Sequence, residues 1–196
     1  MNANAVHANN YQSQFGEDRW IVENVVIPDK GFYLDIGAAR PNLISNTSFL
    51  RSKGWQGIQI DPNAQYAAEW ASIGYPLTVG VVWNGQAVSF KHHRNPDLSR
   101  IEQGGVSVPT ININDLLAAN QVTNIDLLSI DIEGLEFDVL NTLDIAKHQP
   151  QIIIWEFNTL GRLDNRLCSF LESKGYKQVH KTECNYIHVK TEFSPS

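Results

Sequence analysis

The sequence predicts an α/β domain built on a mostly parallel sheet with helices on both faces, and three observations carry that expectation. Short apolar runs recur, and each ends in an acid or at a glycine. Between them lie segments with apolar residues at helical spacing, several of them stopped by glycine. The last two β-like segments are separated only by a short polar turn, which reads as an antiparallel hairpin. Five β-α units and a closing hairpin follow, each crossover taking the right-handed sense.

The elements can be justified in order. "SQFGED" (13–18) opens a first helix, where Gln14, Glu17 and Asp18 suit the positive end of the helix dipole. "GFYLDIG" (31–37) and "GWQGIQIDP" (54–62) read as buried parallel strands. Between them Ser45 can cap a helix carrying Phe49 and Leu50, with Arg51 and Lys53 in its last turn and Gly54 just beyond. "NAQYAAEWASIG" spaces Tyr66, Ala67, Trp70 and Ala71 as a helix and stops at Gly74 before the strand "YPLTVGVV". "WNGQAVSFKHH" predicts a turn on Asn84 and Gly85 leading into a hairpin strand with alternating Val88 and Phe90. A short helix starts at Asp115, "IDLLSID" is a core strand, and "LEFDVLNTL" is the helix after it. "QIIIWEF" is the fifth core strand, "RLDNRLCSFLESKG" an amphipathic helix closed by Gly175, and "YKQVHKT" with "NYIHVK" the hairpin.

At 196 residues the chain suits one domain, expected over 11–190 between loosely ordered tails at 1–10 and 191–196. A net charge of -6 offers no attraction to nucleic acid or an anionic membrane. Cys168 and Cys184 have no paired spacing, and no signal peptide or long apolar span is seen, so a reducing, cytoplasmic setting is expected.

In sheets of this kind ligands bind beyond the carboxyl ends of the strands. Asp35, Asp61, Asp131 and Glu156 stand at those ends. The loop "GAARPNLISN" lacks the spaced glycines that cradle a pyrophosphate, and Pro41 removes one backbone donor, so a dinucleotide is disfavoured. S-adenosylmethionine has a cationic sulfonium, an ammonium and a ribose diol, all of which carboxylates attract. Asp61 is placed to accept from both ribose hydroxyls, although it can also cap the helix that follows.

"SQFGED", "GFYLDIGA", "SNTSFL", "GWQGIQIDP", "LLSIDIEGLEFDVL" and "IIIWEFN", in this order and spacing, resemble the FkbM family of S-adenosylmethionine-dependent methyltransferases from Tyr11 to Lys190. The resemblance implies a single-domain, Rossmann-like class I methyltransferase fold. Its sheet is seven-stranded and mostly parallel, with the last strand inserted beside the fifth. It also implies O-methylation of a hydroxyl on a sugar, polyketide or similar metabolite. Cofactor contacts are expected from Glu17, Asp35, Gly37, Ala38, Asn46, Asp61, Pro62 and Asp131. Ser45, Asn46 and Thr47 have helix capping as their other reading. Where the family reads like "GANDG", this chain has Gly37, Ala38, Ala39, Arg40 and Pro41, and an inward Arg40 would oppose a cationic ligand.

Asp131 and Glu133 can project from one strand edge, with Glu156 on the neighbouring strand. Those three are the candidate catalytic acids, taking a proton from an acceptor hydroxyl, or else the candidate ligands of Mg²⁺ or another divalent cation. Glu136 is expected behind them, and Asp138 in solvent. Lys91, His92, His93 and Arg94 form a basic loop that reads first as solvated surface and second as a border to the acceptor, whereas His180, His188 and the five tryptophans read as packing. The acceptor is expected to be a small molecule or glycan. Two other functions fit the residues: a module that binds the cofactor without turnover, and a metal-dependent sugar-nucleotide transferase prompted by the D-x-E at 131–133.

Overall fold

The alternating pattern assembles one central sheet and three small ones. The computed structural model describes residues 11–83, 88–91, 100–101, 106–159, 162–163 and 166–191. The tail at 1–10, most of the tail at 191–196, the Asn84–Gly85 turn and the His92–His93 loop lie outside the described residues. In chain order, α1 is Glu17–Asn24, β1 Phe32–Ile36, α2 Ser48–Ser52, β2 Gln56–Asp61, α3 Ala67–Ser72 and β3 Thr78–Val79. Next come β4 Val81–Val82, β5 Val88–Lys91, β6 Arg100–Ile101, β7 Val106–Val108, β8 Thr110–Ile111 and α4 Ile113–Ala119. β9 is Leu127–Ile130, α5 Glu136–Leu140, α6 Ile145–His148, β10 Ile152–Glu156, β11 Asn158–Thr159 and β12 Arg162–Leu163. α7 Arg166–Ser173, β13 Tyr176–Lys181 and β14 Asn185–Lys190 complete the chain.

The seven-stranded sheet runs β13-β14-β10-β9-β1-β2-β3. All its pairs are parallel except those made by β14, which is antiparallel to both β10 and β13. Period-2 alternation gives each central strand two different faces. Leu34, Ile36, Ile58, Ile60, Leu128, Ile130 and Ile153 pack against Leu117 of α4, Leu140 of α5 and Leu171 of α7. The opposite face meets Ile21 of α1 and Phe49 and Leu50 of α2 through Tyr33, Leu127, Ile152 and Ile154. That second face also carries a row of polar side chains. Asp35 is in register with Gln59 on β2 and Ser129 on β9, and all three are buried.

The row is satisfied from above. Thr47 Oγ1 donates to Asp35 at 2.7 Å, Asn46 Nδ2 to Ser129 Oγ at 3.1 Å, and Tyr33 Oη to Gln59 Oε1 at 2.9 Å. Such pairing is required, because an unpaired polar group in this position costs ~1–3 kcal/mol. The loop from β1 to α2 is thereby fastened to the sheet by its own polar residues.

Several expectations are corrected. The run "YPLTVGVV" is two strands, not one: β3 pairs with β2, while β4 leaves to pair with β8. Gly80 stands at the break, where an added Cβ would lie 2.6 Å from the Ile111 side chain and 2.9 Å from the Pro109 carbonyl. The expected hairpin between β4 and β5 does not form, since β5 pairs with β6 and β7 instead. Ser45 does not cap α2, which begins after Thr47 without a side-chain cap; its backbone N–H donates instead to Gln12 at 2.9 Å. Arg51 is buried rather than lying at an exposed helix end. α4 starts two residues before Asp115, because Asn112 accepts from the amides of Asn114 and Asp115, and α7 starts at Arg166.

The closest approach lies where β1 ends. Gly37 has φ 84°, and a Cβ there would fall 1.7 Å from the carbonyl oxygen of Asp131. Gly54 has the same φ of 84° but open space around it. Gly54→Ala is expected to cost about 1–2 kcal/mol, the ordinary penalty of a left-handed residue. Gly37→Ala should cost a further ~1–3 kcal/mol from the clash. Urea unfolding of the two variants compares them directly, and equal losses would refute the contact.

Candidate active site

Two of the four acids that the sequence places at strand ends, Asp131 and Glu156, converge. Asp131 follows β9 directly and is tied to β1 by its own amide, which donates to Ile36 at 3.0 Å. One carboxylate oxygen from each of Asp131, Glu136 and Glu156 lies within 4.8 Å of the others. Glu136 therefore takes the place expected for Glu133. The reason is local: Glu133 sits at φ 60° in the tight turn after β9. Glu136 Oε1 folds back over that turn to accept from the amides of Ile132 and Gly134 at 2.9 and 3.1 Å. Asp138 is exposed, as expected.

Asp131 is open to water, yet burial is the largest cause pushing its pKa well above the carboxylate range. Repulsion from Glu156, Glu136 and Asp35 raises it further, and the close approach of the Glu156 carboxyl adds to the rise.

Asp35 is buried, and burial raises its pKa against the lowering contributions of Thr47, Arg51 and Ser129. Asp61, at the end of β2, accepts from the amide of Ala39 at 2.9 Å and from that of Asn63 at 2.7 Å. It is more than a helix cap, because it ties the loop after β1 to the loop after β2; Asn63 caps the short 3-10 turn at Ala64–Tyr66. Gly37 and Ala38 both donate to the Ile60 carbonyl, at 2.9 and 3.1 Å. Ala38 is buried against Tyr66 and Trp70, and Pro62 is half-buried beside Asp61. Arg40 turns outward, pairing with Glu69 at 3.7 Å and lying 6.0 Å from the Tyr66 ring centroid. The charge conflict that an inward Arg40 would create is absent.

Glu17 is fully buried at the start of α1. Its Oε1 accepts from Thr182 Oγ1 at 2.9 Å and from Asn185 Nδ2 at 2.7 Å, and its Oε2 from the Phe15 amide at 3.0 Å. Asp18 accepts from the amides of Gln12 and Arg19, both at 2.8 Å. These acids are tertiary staples, a role that dipole arguments from sequence could not reveal. Gln14 is exposed. Because Gln12 also bridges Ser45, residues 12–17 run from the loop after β1 to the turn between β13 and β14. Asn185 faces Glu156 across the β10–β14 pair, so this segment borders the acid cluster.

His180 and His188 serve packing, as expected. Trp155 Nε1 donates to His188 Nδ1 at 3.1 Å, and burial lowers the His188 pKa to about 4. His180 stacks on Trp20 with ring centroids 4.3 Å apart. Sequence reasoning missed Gln59, Ser129 and Thr47 as a connected set. Their signal was a single polar residue two positions before each strand-end Asp in "GIQID" and "LLSID".

The order of this sheet, its reversed β14 and the acids along its carboxyl edge define the class I methyltransferase fold. Two solved structures share it. A TehB-like SAM-dependent methyltransferase from Corynebacterium glutamicum is 13% identical, with a TM-score of 0.50 over 95% of this chain and 92% of that one. The fibrillarin/Nop5p complex is 10% identical, with a TM-score of 0.50 over 91% and 80%. No curated protein matches by sequence. Residues 35–178 match the methyltransferase FkbM domain, so the chain belongs to that family of methyltransferases. No helix among the described residues is long and apolar enough to cross a membrane.

Cys184 lies in the turn beside the acids, and its thiol is pushed up to about 12 by burial, with Glu156, Asp131, Glu17 and Glu183 adding to the rise. At pH 8 roughly one thiol in ten thousand is then ionised. Iodoacetamide at pH 8 should leave Cys184 of the folded protein unmodified, read by peptide mass spectrometry. Rapid labelling there would contradict the acidic surroundings.

Proposed function

We propose that this methyltransferase moves the methyl group of S-adenosylmethionine to a hydroxyl oxygen of a sugar, glycan or small metabolite. The observation that carries the reading is the convergence of Asp131, Glu136 and Glu156 at the strand ends, beside the glycine turn that ends β1. The family match and the name of the Corynebacterium neighbour support the cofactor. Asp61 would receive the ribose diol at the end of β2, where its carboxylate already accepts from the amides of Ala39 and Asn63. Gly37, Ala38, Asn46, Pro62 and the carboxyl of Asp35 would line the same edge, while Glu17 would support it through the hairpin turn.

In the transfer, an acceptor oxygen attacks the methyl carbon, a C–O bond forms and the C–S bond breaks. The sulfonium leaves as a neutral thioether. The hydroxyl proton passes to ionised Asp131, whose raised pKa makes it a better base than an isolated Asp. Alignment of the acceptor with the methyl carries most of the acceleration, since the leaving group is already good. A nucleic-acid acceptor does not suit an acidic edge.

A second reading of the same acids rests on their convergence within 4.8 Å. One oxygen from each of Asp131, Glu136 and Glu156 suits a hard cation such as Mg²⁺, which would orient and acidify the acceptor hydroxyl. Glu133, expected as a ligand, is not in this group.

Transfer of labelled methyl from S-adenosylmethionine to a panel of sugar and metabolite hydroxyls tests the main proposal, with absence of any cofactor binding as the refuting result. EDTA should leave transfer unchanged if the acids act as a base; loss restored by Mg²⁺ would decide for the cation. The rate should fall as pH drops through the raised pKa of Asp131, above the ordinary carboxylate value. Glu156→Gln removes the repulsion on Asp131, so this acidic limb should move to lower pH, and a limb that stays in place would exclude Asp131 as the base.

A further inference from the structure

We infer that Arg51 is a positioning residue for the methyl donor, acting through the loop from β1 to α2 rather than on the transfer itself. This rests on the reading that the loop borders S-adenosylmethionine. Arg51 belongs to α2 and its side chain is almost wholly enclosed, at 7% exposure. It forms no ion pair among the described residues. A buried cation without a carboxylate partner is costly and needs a structural reason.

The reason lies in what the guanidinium holds. Nη1 donates to Thr47 Oγ1 at 2.5 Å, and Nη2 donates to the Pro41 carbonyl and, at 3.4 Å, to Ser45 Oγ. Three points of one loop are gathered by one planar fork. Thr47 Oγ1 in turn donates a hydrogen bond to Asp35 at 2.7 Å, so the cation is linked to the strand-end acid through a single hydroxyl. The charge is also spread over the Trp70 ring, with the guanidinium carbon 4.5 Å from its centroid. Trp70 Nε1 donates to the Ala39 carbonyl at 2.7 Å, which fastens the near end of the same loop. Ala39 and Ile44 are both left-handed, with φ of 43° and 53°. Left-handed conformations of this kind are unfavourable for side-chain-bearing residues and persist only where the surroundings impose them. Arg51 and Trp70 supply that imposition from beneath.

Lysine cannot reproduce this. Its ammonium is a point charge without the planar fork, so it can keep the cation while losing the simultaneous grip on Pro41, Ser45 and Thr47. The chain therefore requires arginine here for geometry as well as charge.

The test uses Arg51→Lys, Arg51→Met and Thr47→Val in the full chain. Each should raise KM for S-adenosylmethionine and weaken its directly measured affinity by roughly tenfold, the loss of one hydrogen bond to a charged group. The kcat and the acceptor KM should stay within about twofold. Hydrogen exchange of the ligand-free protein should show lost protection at the Thr47 and Arg51 amides in Arg51→Met, with the β9 and β10 amides unaffected. If Arg51→Met does not fold, Arg51→Lys and Thr47→Val carry the same comparison. Wild-type affinity in the variants, or a loss confined to kcat, overturns the inference. If the wild-type protein itself binds no S-adenosylmethionine, the functional reading fails, and the exchange result alone then decides whether Arg51 orders the loop.

Discussion

The contact between Gly37 and the Asp131 carbonyl is the constraint on which the site depends. β1 and β9 are neighbours along their whole length, but only a residue without a Cβ lets their carboxyl ends remain in contact beyond the last pair. That approach places the glycine turn beside the acids. The Asp131 carbonyl and the glycine turn meet there as backbone, next to the converging carboxylates.

The buried polar row beneath this edge is a second consequence of the same geometry. An apolar sheet face would be simpler to pack, yet Gln59, Asp35 and Ser129 interrupt it at matching positions on three adjacent strands. Each needs a partner, and two of those partners, Asn46 and Thr47, come from the loop that must lie over the strand ends. A hydrogen bond that is nearly neutral when formed is expensive when lost. The row therefore selects one loop conformation more strongly than it adds stability.

Much of the fold was legible because strand runs, glycine stops and the final polar turn are local signals. The parallel core, the hairpin and the acids at the strand ends could all be read that way. What was not legible required partners distant in sequence. "YPLTVGVV" looked like one strand because nothing local announces that Gly80 packs against Ile111 and that β4 leaves for β8. Glu133 looked like a site acid by strand periodicity, but the turn breaks that period, and Glu136 reaches back to take its place. Arg51 read only as a residue of the helix's last turn, since its carbonyl and hydroxyl partners sit on a loop whose path the sequence does not declare. Glu17 is the extreme instance, its carboxylate held by residues at the other end of the chain.

That last bond has a consequence for the order in which the protein is completed. Glu17 and Asn185 are separated by 168 positions, so during synthesis from the amino terminus the carboxylate emerges long before its partner exists. Contacts of such separation can form only after the intervening chain has been laid down and its loop closed. The parallel strands can pair earlier, but the border of the acid cleft is finished only when the hairpin turn arrives. A nascent chain that stalls before β14 carries the strand-end acids without the element that helps enclose them.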